Sequence, residues 1–133
     1  MLHNLNSILL IDDDNTTNYL HKKIISKSEI DIPIKVANNG KEGIDELIAL
    51  NEILKVKEEL VLIFLDVNMP IMDGWTFLDY FNEIESKLNY TTQLFMVSSS
   101  INPDDKNRAL KNDYVIDYLS KPLNVTIIKS ILK

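Results

Sequence analysis

The sequence predicts an α/β domain built on an open parallel sheet with helices on both faces. Three observations predict it. Five short apolar runs alternate with segments of helical periodicity along 133 residues, the pattern left by strands joined through crossover helices. The runs Ile8–Ile11, Leu60–Leu65 and Leu94–Val97 are unbroken, as strands covered on both faces must be. Four of the five runs are followed closely by a polar side chain: Asp12 and Asp13, Asp66, Ser98, and Lys121 with Pro122. In an open sheet of this kind ligands bind at the carboxyl ends of the strands, where strand order reverses.

The elements follow in order. After the first strand, Asp14, with Asn15 as a competitor, caps a helix over Thr16–Ser28 that carries Leu20 and Ile24 at i,i+4. Ile34–Val36 is a short strand suited to an edge. Asn39-Gly40 marks a turn before a long helix over Lys41–Lys57 with Ile44, Leu47, Ile48 and Leu54. Leu60–Leu65 is the third strand. Asp73-Gly74 turns the chain into a helix over Trp75–Leu88, whose Phe77, Phe81, Ile84 and Leu88 form the clearest apolar stripe. After Leu94–Val97, Asn102 caps a helix with Pro103 at its first position and Asp104 and Asp105 in its first turn, running to about Asn112. Val115–Leu119 is interrupted by Asp117 and also suits an edge. Asn124 caps a last helix with Ile127, Ile128, Ile131 and Leu132 inward. Five β/α units in this length predict a flavodoxin-like, doubly wound five-stranded parallel sheet of order 2-1-3-4-5 with five helices. The first and third strands are then neighbours, so Asp12, Asp13 and Asp66 converge.

The bulk composition fits one globular domain over residues 1–133, at 45% hydrophobic and 26% charged. A formal net charge of −6 argues against a nucleic-acid partner, which needs a basic face. The absence of cysteine excludes disulfides, thiolate chemistry and a Cys-based zinc site. No apolar stretch approaches the roughly 18 residues of a membrane span, and no signal-peptide pattern is present. The expectation is a cytoplasmic protein. His3 lies in the leading tail and His21 on the first helix, where it reads as solvated; neither sits at a strand end.

Three carboxylates, a hydroxyl and an ammonium at adjacent strand ends describe one site. Carboxylates that close repel unless a cation joins them. The expected site is a hard-metal pocket that handles a phosphoryl group.

The segments Ile11-Asp12-Asp13-Asp14, Asp66-Val67-Asn68-Met69-Pro70-Ile71-Met72-Asp73-Gly74, Met96-Val97-Ser98-Ser99 and Tyr118-Leu119-Ser120-Lys121-Pro122 together resemble the receiver domain of a two-component response regulator. The resemblance covers essentially the whole chain. It implies that Asp66 accepts a phosphoryl group from a histidine kinase or a histidine phosphotransfer protein. It implies Mg²⁺ (or Mn²⁺) held by Asp13, Asp66 and the backbone carbonyl of Asn68, with Asp12 acting through a water or by orienting its neighbour. It implies that Lys121 contacts the phosphoryl group, that Ser98 donates a hydrogen bond to it, and that Tyr118 responds as a switch. It also implies a cis bond between Lys121 and Pro122.

Several positions keep two readings. Ser99 competes with Ser98 as the donor, and Tyr118 competes with itself as a static, half-buried aromatic. Ser98 stands where the family more often has Thr. Asn68 and Ser100, each two residues beyond a site residue, flank the phosphoryl group and tune its lifetime. Met69, Met72 and Trp75 read as packing.

A phosphatase of the haloacid-dehalogenase type shares the Asp nucleophile, Mg²⁺, Ser and Lys, but needs a second Asp where Asn68 stands. A flavodoxin-like cofactor binder needs a phosphate-cradling loop after the first strand, where Asp12-Asp13-Asp14 would repel phosphate. The expectation is a stand-alone receiver without an output domain; an excised piece of a larger regulator or hybrid kinase is the alternative. Its partners would be the phosphodonor at the first helix and an unknown downstream protein at the face made by Asn102–Asn112, Tyr118 and Asn124–Lys133, with the chain a monomer or a phosphorylation-dependent dimer.

Overall fold

The computed structural model describes residues 4–99 and 102–132. The elements run β1 (Leu5–Ile11), α1 (Asn15–Lys27), β2 (Ile34–Ala37), α2 (Gly40–Leu50), β3 (Leu60–Asp66), α3 (Gly74–Ile84), a 3₁₀ turn (Glu85–Lys87), β4 (Thr91–Ser98), α4 (Pro103–Leu110), β5 (Val115–Ser120) and α5 (Val125–Leu132). All strand pairs are parallel and the order is β2-β1-β3-β4-β5, as expected. The two weak runs lie at the edges, and β3, buried at every position, lies at the centre.

Side-chain alternation along the strands divides the core in two. Leu9, Ile11, Val61, Ile63, Leu65, Leu94 and Met96 face α2 and α3 and pack with Leu47, Phe77 and Phe81. Ile8, Leu10, Leu62, Phe64, Phe95 and Val97 face α1 and α5 and pack with Ile25, Ile128 and Leu132. Each such side chain withdrawn from water contributes roughly 1.5–3 kcal/mol. Tyr90, 2% exposed, satisfies its hydroxyl by donating to the Leu47 carbonyl at 2.6 Å.

Three expectations about the helices need correction. The second helix stops at Leu50 and does not reach Lys57. Asn51 turns its side chain onto the loop before β4: its Nδ2 donates to the Lys87 carbonyl and its Oδ1 accepts from Asn89 N–H. Lys57 Nζ donates to the Leu88 carbonyl and Thr91 Oγ1 to that of Lys57. These bonds hold the segment after Leu50 against the α3–β4 connection and take the place of helical ones. Leu54 is buried there, whereas Ile48, grouped with it in the apolar pattern, is 48% exposed. The third helix likewise tightens into its 3₁₀ turn before Leu88.

The correction at α1 matters most for function. Its buried stripe is Asn18, His21 and Ile25. Leu20 is 42% exposed and Ile24 only partly buried, while His21, expected in solvent, is 3% exposed. The inner face of α1 lies over backbone polar groups at the carboxyl end of the sheet, and these need polar partners.

Candidate functional site

The site sits where β1 and β3 end side by side, with β1 paired to both β2 and β3. Past Ile11 the chain leaves the sheet through Asp12, whose N–H donates to the Ala37 carbonyl at 3.0 Å. Asp12 Oδ1 accepts from Asp14 N–H at 2.9 Å, and its backbone carbonyl accepts from Asn18 Nδ2 at 2.9 Å. Asp12 is therefore fixed through both backbone and side chain. Asp14 caps α1, accepting from Thr16 N–H and Thr17 Oγ1; this holds its carboxyl below the usual carboxylate range, chiefly through the Thr17 hydroxyl.

Asp66 is the last residue of β3 and 6% exposed. Glycine is required beside it: a Cβ on Gly74 would stand 2.6 Å from the Asp66 carbonyl oxygen, and Gly74 N–H donates to the Val67 carbonyl at 2.8 Å. The α3 cap, Asp73 accepting from Thr76 N–H, completes this return. Within the intervening loop Ile71 has a φ of 70° and Met72 N–H reaches the Pro70 carbonyl at 2.7 Å. That tight turn in a left-handed conformation is strained for a β-branched residue.

Lys121 joins the two acids. Its Nζ lies 2.6 Å from Asp12 Oδ2 and 2.8 Å from Asp66 Oδ1. Its N–H donates to the Ser98 carbonyl at 2.9 Å, and the bond to Pro122 is cis. Burial pulls the Lys121 ammonium down, but its pairs with Asp12 and Asp66 outweigh that and hold it above its ordinary value. Burial is also the main influence on Asp66 and outweighs Lys121: with Asp12 and Asp13 adding repulsion, its carboxyl is pushed up to about 6.

Oxygens of Asp12, Asp13 and Asp66 lie within 4.8 Å of one another, with Asp13 exposed and the other two buried. The donor set is all oxygen, which suits a hard cation that keeps several waters. Three carboxylates against one ammonium leave −3 + 1 = −2 at the site, the charge a divalent ion cancels. Both side-chain oxygens of Asp12 are already engaged, which leaves Asp13 and Asp66 as the freer ligands. The residues present fit Mg²⁺.

The remaining assigned residues frame this cluster. Ser98, 1% exposed, ends β4 opposite Ser120, and the residue before it, Val97, pairs with Asp66. Ser99 is exposed and lines a cleft of about 380 Å³ with Asp14, Thr17, Leu20, Lys121 and Pro122. Asn68 is exposed in the loop after β3. Tyr118 is partly buried against the α2/α3 side of the core, and its buried hydroxyl has no partner among the described residues. Trp75 packs on the same core, with the Arg108 guanidinium 4.1 Å from its ring. Ser100 lies outside the described residues.

Two residues at the site escaped the sequence reading. Asn18 holds Asp12, and His21 Nε2 accepts from Leu123 N–H at 3.1 Å. Their one sequence signal is spacing: Asn18, His21 and Ile25 recur at helical intervals.

An acid just past β1, an acid at the end of β3 and a lysine after β5, joined by ion pairs, form one charged site at the carboxyl edge of the parallel sheet. The model of the response regulator receiver domain family matches residues 8–133, and the chain belongs to that family. It is 27% identical over 127 residues to the sensor histidine kinase CheAY of Helicobacter pylori, covering 95% of this chain and 14% of that protein. The chain spans 3 to 14% of the length of the curated relatives it matches. Among solved structures, a two component response regulator from Cytophaga hutchinsonii superposes with a TM-score of 0.80 at 30% identity, covering 96% of this chain and 93% of that one. The receiver domain of Saccharomyces cerevisiae Ssk1, solved with the histidine phosphotransfer protein Ypd1, shares the fold at a TM-score of 0.74 and 20% identity, over 95% and 85% of the two chains. Among the described residues no helix is long and apolar enough to cross a membrane.

Proposed function

We propose that this receiver domain accepts a phosphoryl group on Asp66 from a phosphohistidine, donated by a histidine kinase or a histidine phosphotransfer protein. The observation that carries the reading is the ammonium of Lys121 set 2.6 and 2.8 Å from Asp12 and Asp66, with Asp13 completing an all-oxygen cluster of net charge −2. An Asp66 carboxylate oxygen forms the new O–P bond as the donor's N–P bond breaks, and the imidazole leaves with the bonding pair. Catalysis in such transfers is positioning plus electrostatics.

Asp13, Asp66 and the Asn68 carbonyl would hold Mg²⁺, and Asp12 would act through a water or by orienting Lys121. When bound, the ion neutralises the acidic cluster and the charge on the transferred group. Lys121 exchanges its contact with Asp66 for a phosphoryl oxygen. Ser98 donates to a second oxygen from the neighbouring strand, and Tyr118, whose hydroxyl has no partner among the described residues, changes place in response. Asn68 in place of an acid leaves no general acid for rapid hydrolysis, so the domain holds the group and does not turn over substrate as a phosphatase does.

The donor approaches at the cleft beside α1, and α4, β5 and α5 present the phosphorylation-dependent face to a downstream protein. The Ssk1 receiver, solved with a phosphotransfer protein, supports a donor of that kind. Incubation with acetyl phosphate tests the reading. We expect one Mg²⁺-dependent phosphoryl adduct in the intact mass, absent from Asp66→Asn. An adduct that persists in Asp66→Asn contradicts it.

A further inference from the structure

We propose that His21 is a positioning residue for phosphoryl transfer, acting through the backbone that carries Lys121. The inference rests on the reading of Asp66 and Lys121 given above.

Lys121, Pro122 and Leu123 leave the sheet together, and Pro122 has no N–H. The two amide donors in this triplet are both bonded. Lys121 N–H donates to the Ser98 carbonyl at 2.9 Å and Leu123 N–H to His21 Nε2 at 3.1 Å. The lysine that bridges Asp12 and Asp66 is thus pinned on one side by β4 and on the other by a ring on α1. A backbone N–H only donates, so His21 Nε2 carries no proton and the imidazole is neutral. Burial acts in the same direction, lowering the tendency of His21 to protonate; Asp12 opposes this and Lys121 adds to it.

The same face of α1 holds the other acid. Asn18, one turn before His21, donates from Nδ2 to the Asp12 carbonyl at 2.9 Å. Two buried side chains at i,i+3 therefore tie the loop carrying Asp12 and Asp13 to the loop carrying Lys121. A helix that met only the core would place apolar residues at these two positions. The polar pair sets the separation of the acids and the ammonium, and a misplacement of about 1 Å in such an arrangement costs on the order of 100-fold in rate.

The test is a mutant cycle on the Mg²⁺-dependent rate of phosphorylation by acetyl phosphate, followed by intact mass. His21→Leu keeps bulk and loses the acceptor; we expect an at least roughly tenfold slower rate. In the Lys121→Ala background the same substitution should change the residual rate by less than about twofold, because coupled residues do not add. His21→Gln retains an acceptor at the reach of Nε2 and should restore most of the rate, whereas His21→Asn is too short and should not. That pair carries the test if His21→Leu fails to fold. A wild-type rate in His21→Leu, or the same loss with and without Lys121, overturns the inference while leaving the reading of Asp66 intact. A wild-type chain that takes up no phosphoryl group overturns both.

Discussion

Asp66 illustrates how one residue's environment fixes its chemistry. Its carboxyl is pushed up to about 6 in the folded chain, chiefly by burial, against an ordinary 3.8. The folded state therefore binds a proton more tightly than the unfolded state between those values. Stability falls as pH rises from about 4 to about 6 and stays lowered above that. Without metal, Asp66→Asn should be more stable than the parent at pH 7.5 by about 1.5–3 kcal/mol, and the gap should narrow to roughly a third of that at pH 4.5. Urea unfolding in EDTA at the two pH values measures this; an equal difference at both would contradict it. The acids and Lys121 were legible in the sequence because their neighbours form a motif. His21 was not, since a polar residue on a helix is buried or solvated according to what it faces, and the partner Leu123 N–H lies 102 positions away.

The elements were legible where apolar period and cap agreed. Asp14, Asn39, Asp73 and Asn102 each cap the helix that follows, and the unbroken runs became the inner strands. Element ends were less legible, because Asn51 and Lys57 find partners in a distant connection that no local pattern reveals. Two predictions belong at this scale. Gly74→Ala should destabilise the fold by about 2 kcal/mol or more and slow phosphorylation, because its Cβ would meet the Asp66 carbonyl, a backbone atom that must then move. Urea unfolding and the acetyl phosphate rate together check it. Among its described side chains α4 buries only Ala109, whereas α3 buries Gly74, Phe77, Leu78 and Phe81. Amides of α4 should exchange with solvent at least about tenfold faster than those of α3, an ordering read directly by native-state hydrogen exchange. Equal protection in the two helices would contradict this.

At the scale of the whole molecule, topology explains why distant residues meet. Placing β1 beside β3 brings Asp12 and Asp13 to Asp66, and a sheet of five parallel strands delivers Lys121 and Ser98 to the same edge. Five β/α units in this length suggested the flavodoxin-like order 2-1-3-4-5, and with that order the convergence of the acids was legible before any contact was known. The cluster's residual charge of −2 sets a global property. On the proposed reading Mg²⁺ binds the folded chain and not the unfolded one, so at 100 times its dissociation constant it should add about 2.7 kcal/mol to stability. Thermal unfolding with Mg²⁺ and with EDTA should show the shift, and Asp13→Ala should abolish most of it. A full shift in Asp13→Ala would place the ion elsewhere.

Locating the phosphoryl group tests the central claim most directly. An acyl phosphate is reduced by borohydride to an alcohol, which marks the residue that carried it. After treatment with acetyl phosphate and Mg²⁺, then borohydride, peptide mass spectrometry should find homoserine at position 66 and nowhere else. Reduction at Asp12 or Asp13, a phosphate remaining on Ser98 or Ser99, or no modification at all would contradict the account.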